Sequence, residues 1–116
     1  MAFSEQTEKL TQDLIQAEYE NVCEKWGDKY NSLHEGYAVL KEKVEEVETE
    51  ILQIDKIMKS FWGVIKLYPN ETIEQYEEEI ESLEHFVECA IKELAQVGAA
   101  LMKIKNTIEA KKNVSL

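Results

Sequence analysis

Arginine is absent from this 116-residue chain, and all 13 basic residues are lysine. Without a guanidinium fork there is no bidentate grip on phosphate or on guanine edges. Acidic residues number 24, and the formal net charge of −11 repels nucleic acid and anionic membrane alike. Direct binding to nucleic acid or to a membrane surface is therefore not expected. Proline occurs once and glycine four times, so regular structure should run with few interruptions. Cys23 and Cys89 are the two cysteines and lack CxxC spacing, so they read as small buried hydrophobes rather than a disulfide framework. No apolar run approaches the roughly 20 residues of a membrane span, and the start shows no basic segment followed by an apolar one. The expectation is a cytoplasmic protein.

What remains is rich in Glu and Lys with helical periodicity, which predicts a single all-α domain over residues 1–116. A first helix is predicted from about Ser4 to Trp26, with Ile15, Tyr19, Val22 and Trp26 in one stripe and Gly27 as its stop. Ser32 and Glu35 form a capping box that opens the next helix. From Leu33 the apolar positions step by 4 and 3 through Tyr37, Leu40, Val44, Val47, Ile51, Ile54, Met58, Phe61, Ile65 and Tyr68, until Pro69 ends the run. Gly63 costs about 1 kcal/mol relative to Ala, so the helix either continues or breaks near Ser60–Gly63. Asn70 caps a third helix over about 71–110, with Ile73, Tyr76, Ile80, Leu83, Val87, Ala90, Leu94, Val97, Leu101, Ile104 and Ile108 in the same 4/3 pattern.

The two runs are mirror images. Tyr68 pairs with Ile73, Ile65 with Tyr76, and so on outward to Leu33 with Ile108. An antiparallel hairpin requires this relation, whereas a parallel coiled coil does not. Each arm is about 55 Å long at 1.5 Å per residue. One preceding helix cannot cover both faces of so long a hairpin, so the bundle is expected to be completed by oligomerisation, as a dimer or tetramer.

Near the middle of the arms, Lys43 and Glu46 each precede a core residue, and Gln96 and Glu93 do the same on the mirror arm. The four should stand at nearly one level, flanking the seam, with Glu50 one turn beyond Glu46. Small residues around Gln96 (Ala95, Gly98, Ala99, Ala100) leave room for another helix or a ligand. Outer heptad positions are normally charged, so a solvated face is the ordinary explanation for Glu42, Glu45 and Glu48. His34 reads as a surface or packing residue, Tyr30 and Tyr37 as packing residues, and Trp62 and Tyr68 as a cover for the hairpin end.

The stretch SLHEGYAVLKEKVEEV from Ser32, with the later KELAQVGAA from Lys92, resembles the MazG-like group of all-α nucleotide pyrophosphohydrolases, above all its small bacteriophage-encoded members. The likeness spans roughly Ser32–Ile51 and Ile91–Ile104. It implies hydrolysis of NTP or dNTP to NMP and pyrophosphate with Mg²⁺, or Mn²⁺, in the cytoplasm of a bacterial host. That family's EExxE motif falls on Glu42, Lys43 and Glu46, and its ExxD motif on Glu93 and Gln96. Glu42, Glu46 and Glu93 match, whereas Lys43 and Gln96 depart from the pattern. The implied metal ligands are Glu42, Glu46, Glu50 and Glu93; the implied catalytic residues are Glu46, Glu93 and Gln96. Lys43 becomes a contact for substrate phosphate, since Lys binds phosphate as a point charge.

A different function class competes with this one. Glu71, Glu74, Glu77, Glu78, Glu79, Glu81, Glu84 and Glu88 follow one another with no intervening Lys. So one-sided a run suits a catalytically inactive phage protein that binds a basic host protein or mimics a nucleic-acid backbone.

Overall fold

The computed structural model describes residues 2–67 and 73–114. These residues are all-helical, with no strand among them: α1 is Glu5–Trp26, α2 is Leu33–Leu67 and α3 is Ile73–Val114. The Pro69 stop, the Asn70 cap and the Tyr68–Ile73 pair lie outside the described residues.

Local chemistry sets the helix ends. Thr7 N–H donates to Ser4 Oγ at 3.1 Å, and Glu5 and Glu8 complement the positive end of the α1 dipole. α1 stops at Gly27, whose φ of 83° suits glycine, with its N–H bonded to the Cys23 carbonyl at 2.8 Å. At the head of α2, Glu35 N–H donates to Ser32 Oγ at 3.1 Å, which is one half of the predicted capping box. α2 then runs unbroken through Ser60–Gly63, so the helix continues there rather than breaking. A Cβ at Gly63 would meet nothing within 4 Å. The helix absorbs the propensity cost because its neighbours on both sides continue the hydrogen-bond ladder.

The chain divides into two compact units, one comprising Met1–Val44 with Leu94–Leu116 and the other Glu45–Glu93. The long helices α2 and α3 run through both.

In unit 1, α1 and the first turns of α2 pack on the last half of α3. The most buried residues of α3 are Ala95, Ala99, Lys103 and Thr107, a row spaced by four, with Ala100 beside it. Gly98 admits Ile15 of α1 so closely that a Cβ there would lie 2.9 Å from Ile15 Cγ2. A Cβ at Gly36 would likewise lie 3.0 Å from Ile104 and 3.1 Å from the Tyr30 ring. The α1–α2 connection is tied to α3 by polar bonds. Tyr30 N–H donates to Thr107 Oγ1 at 2.9 Å, while that hydroxyl donates to the Lys103 carbonyl at 2.8 Å. Asn106 Nδ2 donates to Tyr19 Oη at 2.7 Å and to the Asp28 carbonyl at 2.9 Å.

Unit 2 is a pair of antiparallel arms. The Phe61 and Tyr76 rings meet edge to face with centroids 6.3 Å apart, and Ser60 Oγ donates to Glu79 Oε1 at 3.0 Å. The predicted pairing set Ile65 against Tyr76. The ring contact that Tyr76 makes is with Phe61, one turn earlier on α2, and Ile65 is 38% exposed. The 4/3 apolar run also splits into two rows. Val47, Ile54 and Phe61 of α2 and Tyr76, Leu83 and Ala90 of α3 are buried or half-buried. Ile51, Met58 and Ile65, with Ile73, Ile80 and Val87, are exposed at seven-residue intervals. Two helices meet along one line, so a pair covers one row of each heptad and leaves the other to a further helix.

The two interior glycines therefore predict opposite responses. Gly63→Ala should raise stability by about 1 kcal/mol, because Ala supplies helix propensity into open space. Gly98→Leu should lower it by about 1–3 kcal/mol, because the added carbons displace Ile15. Denaturant unfolding of both variants against the parent checks the pair.

Candidate functional site

The half-buried face of α2 in unit 2 carries Glu46, Glu50 and Gln53 as well as its apolar row. Glu93 is half-buried on α3 in the same unit. The Ser60–Glu79 hydrogen bond sets the register of the two arms. Two heptads back along α2 lies position 46, and two heptads forward along α3 lies position 93. At about 3.6 residues per turn, Glu46 and Glu93 repeat the Ser60–Glu79 relation about four turns away. Helical periodicity thus puts them at one level, as the sequence pattern predicts.

Two carboxylate oxygens in this unit are sealed from solvent, Oε2 of Glu50 and Oε2 of Glu93. The Glu50 oxygen accepts no hydrogen bond among the described residues. Among those residues, however, no three His, Cys, Asp or Glu side chains converge as a metal cluster. Glu42 lies in unit 1 and is exposed, so the four-carboxylate set implied by the resemblance is not gathered. Glu42 sits four residues before Glu46, and the drift of 3.6 residues per turn carries it toward the solvent side.

Lys43 and Gln96 are brought together in unit 1. Both line a hollow walled also by Glu18, Asn21, Lys25 and Trp26. Beside it, and sharing Val22, Trp26, Tyr30, Val39 and Lys43, is a larger cavity of about 480 Å³ that adds Asn31, Glu35 and Lys103.

Lys103 is only 3% exposed, and its Nζ lies 4.3 Å from the centroid of the Tyr30 ring. Among the described residues no carboxylate comes within 4.0 Å of it. The Tyr30 phenol is pushed above its ordinary value, first by burial and then by the nearby charges of Glu35 and Cys23. Tyr19 is raised as well, chiefly through its hydrogen bond with Cys23.

Sequence reasoning missed the Lys103–Tyr30 arrangement. Its signal was available, because Ala95, Ala99, Lys103 and Thr107 share one i, i+4 row whose first members are small. Other readings separate cleanly. His34 is a surface residue, and Tyr30 is a packing residue. Tyr37 and Trp62 are exposed rather than packed, on helix faces that no other described segment covers. Cys23 and Cys89 are free and half-buried rather than buried.

No protein-family model matches the sequence, and no curated protein or solved structure is significantly similar to it.

The raised phenol of Tyr30 has a pH consequence. Its folded pKa exceeds the ordinary 10.0, so the stabilisation is complete below pH 10.0 and is lost as pH rises through the folded value. An absorbance titration should show phenolates forming later than in free tyrosine, and Tyr30→Phe should reduce that late component to the share of Tyr19. The backbone bond to Thr107 survives the substitution, so helicity should be retained.

Proposed function

We propose that the chain is a metal-dependent nucleoside triphosphate pyrophosphohydrolase of the MazG-like type, converting NTP or dNTP to NMP and pyrophosphate. The observation that carries this reading is the Glu50 carboxylate, whose Oε2 is buried in unit 2 without a hydrogen-bond donor among the described residues. Leaving such an acceptor unsatisfied costs about 1–3 kcal/mol, and more when it is charged. A divalent cation is the group that offsets this cost where carboxylates gather.

Glu46 and Glu93 in the same unit are hard oxygen donors of the same kind. Mg²⁺ takes one or two carboxylates and completes its octahedron with water and substrate phosphates. One or two of these carboxylates, with waters and substrate phosphates, would meet that requirement, and Mn²⁺ shares the same preference for oxygen. Glu50, with Glu46 or Glu93, would hold the ion, which when bound supplies charge neutralisation at phosphate and an activated water. Glu42, on the exposed face, adds negative potential rather than a ligand. Gln96 and Lys43, departures from the family pattern, belong to unit 1.

Pyrophosphate release should be measured with each NTP and dNTP in Mg²⁺ and in Mn²⁺. Glu50→Gln, and Glu46→Gln with Glu93→Gln, should each lower turnover by at least about 100-fold, a loss of about 2.7 kcal/mol in barrier terms. Circular dichroism should stay at parent level. Parent-like turnover in both variants, or no release from any nucleotide, would end the enzyme reading.

A second reading is favoured by the surface of unit 2, where seven Glu from Glu74 to Glu88 adjoin the exposed row Ile73, Ile80 and Val87. An acidic, partly apolar helix face suits a protein partner, either a basic host protein or another copy of this chain. In the homo-oligomer reading, the seven-residue period of that row matches the identical period of Ile51, Met58 and Ile65 on α2. Light scattering at micromolar concentration should then give at least twice the chain mass of 13.5 kDa. A clean monomer would leave the row to a different protein.

A further inference from the structure

The buried lysine of unit 1 has no role in the reading above. We infer that the unit 1 cavity binds a phosphate monoester carried on a planar ring, with Lys103 as the residue that selects the anion. The inference stands on unit 1 alone and does not need a metal on the carboxylates of unit 2.

The charge distribution comes first. The chain as a whole has nearly two acidic residues for each basic one, 24 against 13. Around this cavity the balance reverses. Lys43 and Lys103 face one carboxylate, Glu35, and the adjoining hollow adds Lys25 against Glu18. The walls thus carry more lysines than carboxylates in a chain whose acidic residues outnumber its basic ones.

Lys103 is the second observation. It is 3% exposed, lines the cavity and has no carboxylate within 4.0 Å among the described residues. An ammonium has three N–H donors and no acceptor. Its contact with the Tyr30 ring, at 4.3 Å, satisfies the charge in part, but a cation–π contact is not a substitute for three hydrogen bonds. A buried ammonium of this kind attracts an anion with several acceptor oxygens. Phosphate monoesters carry three such oxygens and close to two charges near pH 7, and lysine binds them as a point charge.

Shape supplies the ring. The cavity volume of about 480 Å³ falls within the usual range for small-molecule sites. Trp26, at its rim, is 76% exposed, and Tyr30, Val22 and Val39 complete an apolar wall. An exposed indole beside an apolar wall offers a flat surface on which a planar ring can stack. The Tyr30 backbone is held by Thr107, so the wall is in place before any ligand arrives.

The test uses the full chain carrying Trp62→Phe, so that Trp26 is the one fluorescent indole, with EDTA present to remove divalent metal. Phenyl phosphate, inorganic phosphate and phenol are the probes. Phenyl phosphate should quench Trp26 saturably, in competition with inorganic phosphate, and the effect should weaken with added salt. Phenol should bind at least about tenfold more weakly. Lys103→Met should weaken phenyl phosphate by about tenfold or more, which is about 1.4 kcal/mol, while Lys103→Arg keeps most of the affinity. Non-saturable quenching, equal affinity for phenyl phosphate and phenol, or an unchanged affinity in a folded Lys103→Met protein would each overturn the inference. If Lys103→Met does not fold, the preference for phenyl phosphate over phenol in the Trp62→Phe parent decides. With EDTA present, a failed titration counts against this site and leaves the pyrophosphate-release assay to judge the enzyme reading.

Discussion

Close approach to α3 is the constraint on which unit 1 depends. Its inward row is built from Ala95, Ala99, Lys103 and Thr107, and Gly98 opens a gap that Ile15 fills. Small side chains let backbones approach, so neighbouring segments gain dispersion contacts and shed water from short, otherwise weak, apolar surfaces. Close approach also brings the backbone of the α1–α2 connection within reach of α3. Tyr30 N–H and the Asp28 carbonyl are then satisfied by Thr107 and Asn106 rather than by solvent. A loop that would otherwise carry free polar groups becomes a wall, and the cavity next to it exists because that wall is held.

Unit 2 follows a different logic. With two helical segments and no third in the unit, it covers one row of each heptad and exposes the other. The covered face takes in Glu46, Glu50 and Gln53 together with the apolar row, so carboxylates come to lie where solvent is scarce. Polar groups on a buried seam are stabilising only when each is satisfied, and Glu50 Oε2 is not. The exposed row and the buried carboxylate thus have one origin, the thinness of a two-helix pair.

The functional readings attach to separate parts of the molecule. Carboxylates of unit 2 carry the proposed metal chemistry, while lysines and aromatics of unit 1 line the proposed anion cavity. The lysine at position 43 lies on the wall of the unit 1 cavity, with Lys103, Glu35, Trp26 and Tyr30.

By itself the sequence determined the helices, their caps and the antiparallel sense of the long arms. Those follow from 3.6-residue periodicity, from Ser4, Ser32 and Gly27, and from the mirrored apolar run, all of which are local or nearly so. It also predicted Glu46 and Glu93 at one level, because level along paired helices is a matter of counting. Tertiary structure alone decided the rest. The edge-to-face meeting of Phe61 with Tyr76 is a preference of two rings that apolar patterning does not encode. How many of the apolar rows are covered depends on how many helices are present, which apolar patterning alone does not state. The burial of Lys103 against Tyr30 required α1, α2 and α3 to meet, because a lysine's surroundings are set by the segments it faces and not by its neighbours in the chain.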